Sequence, residues 1–320
     1  MAARRPNRPG VVRRDRRAAG PTRSRHHRPD GGGVTDPAAI EVLRAGALTT
    51  VQDLGRPGWA HLGVPRSGAL DPAALRLANR LVGNPEHAAG LEITLTGCTL
   101  RLTRATTVAV TGAEVPVQAG VRPGDTGRPL SVPAGTVLRI GPARRGVRTW
   151  LAVAGGIDVP PVLGSRATDT LSGLGPQPLR DGDRLPLGEP VDPPGAVDST
   201  SCASPASELH LTVRPGPRED WFTPTALARL FGSAYTVSPV SNRVGARLAG
   251  PALPRAVAGE LPSEGIVLGA VQVPADGQPL IFLADHPTTG GYPVIGVVTD
   301  VTALAQARPG TTVRFHGPQR

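Results

Sequence analysis

The chain has 320 residues, of which 41 are Gly, 36 are Pro and only 3% are aromatic, so its core must be aliphatic and its backbone heavily turned. All 35 basic residues are Arg. A chain without lysine has no P-loop lysine, no Schiff-base lysine and no biotin attachment point, so ATP or biotin chemistry needs those groups from another chain. The net charge of +10 sits mainly in residues 1–33, where ten Arg against Asp15 and Asp30 give +8. The remainder is nearly neutral, and the tail has no interleaved aromatics, which excludes the footprint of a nucleic-acid binder.

Residues 1–35 read as a disordered Arg-rich tail, since they alternate Arg, Pro, Gly and His with almost no apolar content. Val34, after three glycines, is an expected alternative start of translation. No run of about 18 apolar residues occurs, and the N-terminus lacks an apolar signal core. Cys98 and Cys202 are far apart, which predicts free thiols in a cytoplasmic protein. The histidines beyond the tail (His61, His87, His210, His286 and His316) are isolated from one another, so no metal site is expected.

Beyond the tail, short runs rich in Val, Ile, Leu and Thr alternate with Gly, Pro and Asp. Asp71 caps and Pro72 opens a helix over Pro72–Leu81, with Leu75, Ala78 and Leu81 on one face and Gly83 closing it. Strands are predicted at Thr107–Thr111, Val137–Ile140 and Thr149–Ala154, with turns at Pro123-Gly124-Asp125 and Asp181-Gly182-Asp183. The Pro, Ser and Asp-rich stretch Gly188–Ser207 has no periodicity and reads as a linker. A strand at Leu209–Val213, a helix at Pro224–Phe231 capped by Thr223, and a strand at Ile281–Ala284 follow. Turns at Asp276-Gly277 and Arg308-Pro309-Gly310 flank a short helix expected at Val301–Ala307. The fold class is mainly β: an N-terminal β-rich domain over 36–190, a linker over 191–207 and a C-terminal β domain over 208–320, built as sandwich or barrel with a few short helices.

Three segments carry the polar chemistry. Gln52-Asp53-Leu54-Gly55-Arg56-Pro57-Gly58 places an amide, a carboxylate and a guanidinium on one tight loop. Such a trio can read a planar N–C=O edge, Arg56 can clamp a carboxylate, and an Asp–Arg pair can equally staple the loop. Arg66-Ser67-Gly68 stands before the good helix, where free N–H groups favour an anion, although Asp71 already takes the cap. Asp285-His286-Pro287-Thr288-Thr289-Gly290-Gly291-Tyr292 follows an apolar strand; it combines a candidate general base, two hydroxyls and two glycines. Gln272, Asn242 and Arg243 add polar groups on neighbouring stretches.

These are also the segments by which the chain resembles a known family. QDLGRPGWAHLGVPRSGALDPAALRLANRLVGN (Gln52–Asn84) resembles the opening signature of the C subunits of 5-oxoprolinase, the family also called allophanate hydrolase subunit 2 or biotin-dependent carboxyltransferase. WLAVAGGIDVPPVLGSRATD (Trp150–Asp169) is similar to its YLAVAGG…LGSRST block. SNRVGARLAG (Ser241–Gly250), LPSEGIVLGAVQVPADGQP (Leu261–Pro279) and TTGGYPVIGVVTDVTALAQARPGTTVRF (Thr288–Phe315) resemble its C-terminal blocks. His286-Pro287 and Ala167 depart from the family's usual residues.

The resemblance implies a cyclophilin-like barrel architecture and a hetero-oligomer with 5-oxoprolinase subunits B and A. The implied reaction is ATP-dependent opening of 5-oxo-L-proline to L-glutamate, with ATP and Mg at the level of the complex. Two alternatives come with it: the carboxyltransferase half of a biotin-dependent urea or amide carboxylase, and a non-catalytic antagonist of a kinase inhibitor. The expected catalytic residues are Asp285, Asp53, Thr288 and Thr289. Arg56, Arg66, Ser67, Asn242, Arg243, Gln272 and Tyr292 are expected to bind substrate.

Overall fold

Aliphatic and β-branched runs become strands throughout the computed structural model, which describes residues 38–191, 206–259 and 261–318. The Arg-rich tail, Cys202 and residues 192–205 of the expected linker lie outside the described residues. A six-stranded sheet runs in the order Arg184–Pro186, Ala39–Arg44, Cys98–Leu102, Val137–Ile140, Val117–Ala119 and Arg122–Gly124. Facing it is a five-stranded sheet of Leu48–Gln52, Gly90–Thr94, Arg145–Val153, Thr106–Glu114 and Pro129–Val132. Ile40, Leu100 and Leu138 from one sheet meet Leu91, Val110 and Leu151 from the other in a single aliphatic core. Cys98 is buried there as a free thiol, and burial pushes its pKa up to about 12.

Side chains alternate across a strand, so the residues between those core positions point to the other face of the five-stranded sheet. There Ala109 and Ala152 leave room for helix α1 (Pro72–Leu81), which seats Ala78 and Leu81 on them. The helix has the predicted bounds, and Asp71 caps it by accepting the Ala74 N–H at 2.9 Å. Trp150 and Glu92 share this face, directly paired across neighbouring strands. Trp150 packs with Leu75 into the core of the second half, so the two expected halves meet through shared apolar packing.

That second half is a closed seven-stranded barrel: Glu208–Pro215, Val294–Val298, Ala270–Gln272, Leu280–Phe282, Gly245–Ala249, Ala234–Val237 and Thr312–His316. Its closing seam is the parallel pairing of Glu208–Pro215 with Thr312–His316, with Leu211 opposite Phe315. Helix α2 (Pro224–Gly232) runs one residue beyond the expected end and inserts Ala226 and Leu230; Thr223 accepts the Ala226 N–H. No helix of the described residues is long and apolar enough to cross a membrane.

Three local expectations shift. Pro123-Gly124 lies in the strand Arg122–Gly124, and the hairpin instead turns at Gly120 and Val121, where Gly120 has φ 59°. The strand before Asp285 stops at Phe282: Leu283 still donates its N–H to Val244 O, but its own carbonyl accepts the His286 N–H and closes a turn through Ala284 and Asp285. The third helix is a single 3-10 segment, Thr302–Gln306.

Candidate functional site

The loop after Gln52 and the loop before α1 are locked back to back. Gly55 (φ 82°) and Gly68 (φ 92°) make this possible, since a Cβ on Gly68 would stand 2.7 Å from Gly55 N. Arg56 N donates to Arg66 O at 2.8 Å and Ala69 N to Asp53 O at 2.9 Å. Below them, Asp53 accepts from Gly55 N (2.7 Å), Ser165 Oγ (2.6 Å) and Arg166 N (2.6 Å). Arg56 donates to Val162 O (3.4 Å) and Ala167 O. Both side chains thus grip the 162–168 loop. Arg56 is 1% exposed; burial lowers its pKa, and Asp169, Asp53 and Asp285 act against that fall.

Ser67 sits on top of this platform with φ 52°, a conformation that few non-glycine residues adopt. Its Oγ lies 2.7 Å from Asp285 Oδ1 and 3.0 Å from Thr168 O, and its N–H donates to Ala284 O at 3.1 Å. Asp285 is the centre of a buried clasp. Arg243 reaches it with Nε (2.9 Å) and Nη2 (3.0 Å), and Thr170 donates from its N–H (3.0 Å) and Oγ1 (2.7 Å). Arg243 also donates to Glu92 Oε1 at 2.6 Å and to Gly68 O at 2.7 Å. Arg148 lies 3.5 Å from Glu92 Oε1 and donates to Ala305 O at 2.9 Å.

Electrostatics follow from that geometry. Burial alone would raise the Asp285 pKa, but Arg243 with the Ser67 and Thr170 hydrogen bonds brings it below the ordinary value. For Arg243, burial opposes the cation while Glu92 and Asp285 outweigh it and raise its pKa. For Arg148 burial is the largest influence and the Arg243 cation adds to it, so that Glu92 and Asp285 leave its pKa lowered to about 10. Arg243 and Asp285 therefore compensate one another's charge, as buried charges must, whereas the buried Arg148 Nε has no hydrogen-bond partner among the described residues.

Beside Ser67 opens a cleft of about 400 Å³. Its apolar lining includes Leu54, Leu70, Ile266 and Val301, and its polar lining is Arg66, Ser67, His286, Thr288, Thr299, Asp300 and Thr302. Arg66 and Asp300 are exposed, in contrast to the clasp charges. His286 Nδ1 lies 2.7 Å from Pro287 O, and because a carbonyl only accepts, this contact places a proton on Nδ1 and leaves Nε2 outside it.

Of the residues singled out in the sequence, Arg66, Ser67 and Thr288 line this cleft. Asp285 and Arg243 lie behind its wall, and Asp53 and Arg56 lie under the loops. Thr289 is exposed, on a small ribbon that pairs Thr289–Gly290 with Glu264–Gly265. Gln272 is buried and donates to Tyr292 O (2.9 Å), while the Tyr292 ring lies 5.8 Å from the Arg255 guanidinium carbon. Asn242 lies in a turn that it shapes by accepting from Val244 N and Gly245 N. Glu92, Arg148, Ser165, Thr170 and Asp300 were not among the sequence candidates. Glu92 carried the one usable signal, a carboxylate between Leu91 and Ile93 in a strand buried on both faces.

Comparison with known proteins places this architecture. The chain is 40% identical over 284 residues to the C subunit of 5-oxoprolinase from Escherichia coli (strain K12), a match over 86% of this chain and 90% of that protein. It is 34% identical over 313 residues to the urea amidolyase of Lachancea kluyveri, covering 87% of this chain and 17% of that protein. The crystal structure of the K. lactis urea amidolyase superposes with a TM-score of 0.82 at 32% identity, over 88% of this chain and 19% of that one. Residues 62–317 match the carboxyltransferase domain, subdomain A and B, and the chain belongs to that family.

Proposed function

We propose that the chain is the C subunit of an ATP-dependent 5-oxoprolinase, which opens 5-oxo-L-proline to L-glutamate together with subunits A and B in the cytoplasm. The observation that carries this reading is the 40% identity to the C subunit of a known 5-oxoprolinase, along nearly the full length of both chains. The urea amidolyase likeness supports a second reading, transfer of a carboxyl group from carboxybiotin to urea or an amide. That match takes in only 17% of the amidolyase.

The cleft supplies what a small lactam needs. Arg66 is the fixed cation among its lining residues and pairs with the substrate carboxylate. Thr288 offers a hydroxyl to the ring carbonyl, where negative charge grows as the carbonyl is attacked. His286, in its neutral form, offers Nε2 as a proton acceptor. Asp285, expected as a base, works instead as a positioning residue. Its oxygens already accept five hydrogen bonds, and its lowered pKa makes it a poor proton acceptor. It holds Ser67 in its left-handed conformation at the cleft wall.

A nucleotide triphosphate does not fit this cleft, where Asp300 faces the same space as Arg66 and no lysine is available. ATP with Mg therefore belongs to the complex as a whole. Biotin enters only under the second reading, carried by another chain. Reconstitution with subunits A and B tests the proposal. ATP hydrolysis should require 5-oxoproline, persist in the presence of avidin, and show a KM for 5-oxoproline raised about tenfold or more in Arg66→Met. ATP hydrolysis indifferent to 5-oxoproline would overturn the 5-oxoprolinase reading, and inhibition by avidin would favour the carboxylase.

A further inference from the structure

The cleft lining carries both signs of charge, Arg66 and Asp300. Thr288 lies near the loop that carries Arg66: a Cβ on Gly63 would stand 3.9 Å from Thr288 Oγ1. Thr299, Asp300 and Thr302 join Pro72, at the start of α1, in the same lining. The helix cap Asp71 is close enough to feel the charge there. Burial pushes its carboxyl above the ordinary value, and the negative charges of Glu92 and Asp300 act in the same direction. Asp300 accepts the Thr302 N–H at 2.8 Å through Oδ1, and Oδ2 has no hydrogen-bond partner among the described residues. An exposed guanidinium and an exposed carboxylate thus bound one apolar-floored space.

We infer that Asp300 is a specificity-determining residue that receives the nitrogen end of the ligand. This deepens the 5-oxoprolinase reading and rests on it. Water addition to the lactam carbonyl forms a C–O bond and breaks the ring C–N bond. The nitrogen keeps the electron pair and takes up protons, so the ring-opened product carries a new ammonium as well as a new carboxylate. A carboxylate near the nitrogen accepts the lactam N–H and gains a full ion pair as the amine protonates. The interaction therefore strengthens along the reaction, as useful binding energy must. A site with Arg66 alone would bind any small carboxylate, whereas Asp300 repels molecules that bring a second anion in place of the amine.

Calorimetric titration of the full chain with L-glutamate, glutarate and 5-oxo-L-proline tests this. Glutarate has both carboxylates of glutamate but no amine. Wild type should prefer glutamate, and Asp300→Asn should weaken glutamate binding about five- to tenfold while leaving glutarate unchanged or tighter. Asp300→Glu should restore part of the preference. No glutamate preference in wild type, including no binding of any probe, or equal effects of Asp300→Asn on both ligands, would overturn the inference. Turnover by the reconstituted complex separates the two failures. A complex that hydrolyses 5-oxoproline with an unchanged KM in Asp300→Asn leaves the function standing and removes only this role. Amine discrimination without turnover does the reverse.

Discussion

Ser67 separates two Arg–Asp constellations of like composition and opposite physics. Behind it, Arg243 and Asp285 are 1% and 0% exposed and satisfy one another. In front of it, Arg66 and Asp300 are exposed in the lining of an open cleft. In the first pair every donor is aimed at a protein acceptor, so the charges fix geometry. In the second the charges keep capacity for something else. Residue type alone distinguishes nothing here; the solvent and the filled lone pairs do.

The sharpest way to break this contrast is Arg243→Met, which leaves Asp285 and Glu92 buried without their cation. A loss of about 3–5 kcal/mol in urea denaturation is expected, against a change within about 0.5 kcal/mol for Arg66→Met. Equal losses would erase the distinction. Gly68→Ala should cost about 2 kcal/mol, because its Cβ would meet Gly55 N at 2.7 Å in a backbone with φ 92°; thermal melting reads it directly.

Asp285→Asn tests the charge itself. A carboxyl whose folded pKa is lowered contributes stability above its unfolded pKa of about 4 and loses it as pH falls through the folded value. The gap in stability between wild type and Asp285→Asn should therefore be full near neutrality and close below pH of about 4, seen in melting temperature against pH. Ser67→Ala, which removes only the hydroxyl between clasp and cleft, should cost about 1 kcal/mol in the same assay.

Much of the fold was legible because local physics decides it. Asp71 and Pro72 announce α1, and the β-branched runs with their glycine turns announce the strands. The candidate site was legible only in parts. Arg66, Ser67 and Thr288 stand in loops whose composition marks them, and all three line the cleft. The clasp was not readable as a unit. Ser67 and Asp285 are 218 positions apart, and Arg243 and Glu92 are 151 apart, so no periodicity connects them. For Asp53 and Arg56 the sequence left two readings, a ligand contact or a staple of the loop; their side chains bond the 162–168 loop, a partner more than 100 positions away that the sequence does not name. Asp300 was not singled out because nothing local marks it: it stands just before the 3-10 segment Thr302–Gln306 and accepts the Thr302 N–H, an ordinary turn contact for an Asp.

The parallel seam of the barrel has a consequence for how this protein is made. One edge of its first strand, Glu208–Pro215, pairs with Thr312–His316, the last strand of the barrel in chain order. When Arg243 has been synthesised, only Glu208–Pro215 and Ala234–Val237 of the seven barrel strands exist, and both pair with Thr312–His316, which is made last. Closure waits for the final strand, and until then the edge can pair with other chains. Closure of this half is thus a late event in the chain's synthesis, set by the pairing of its first and last strands.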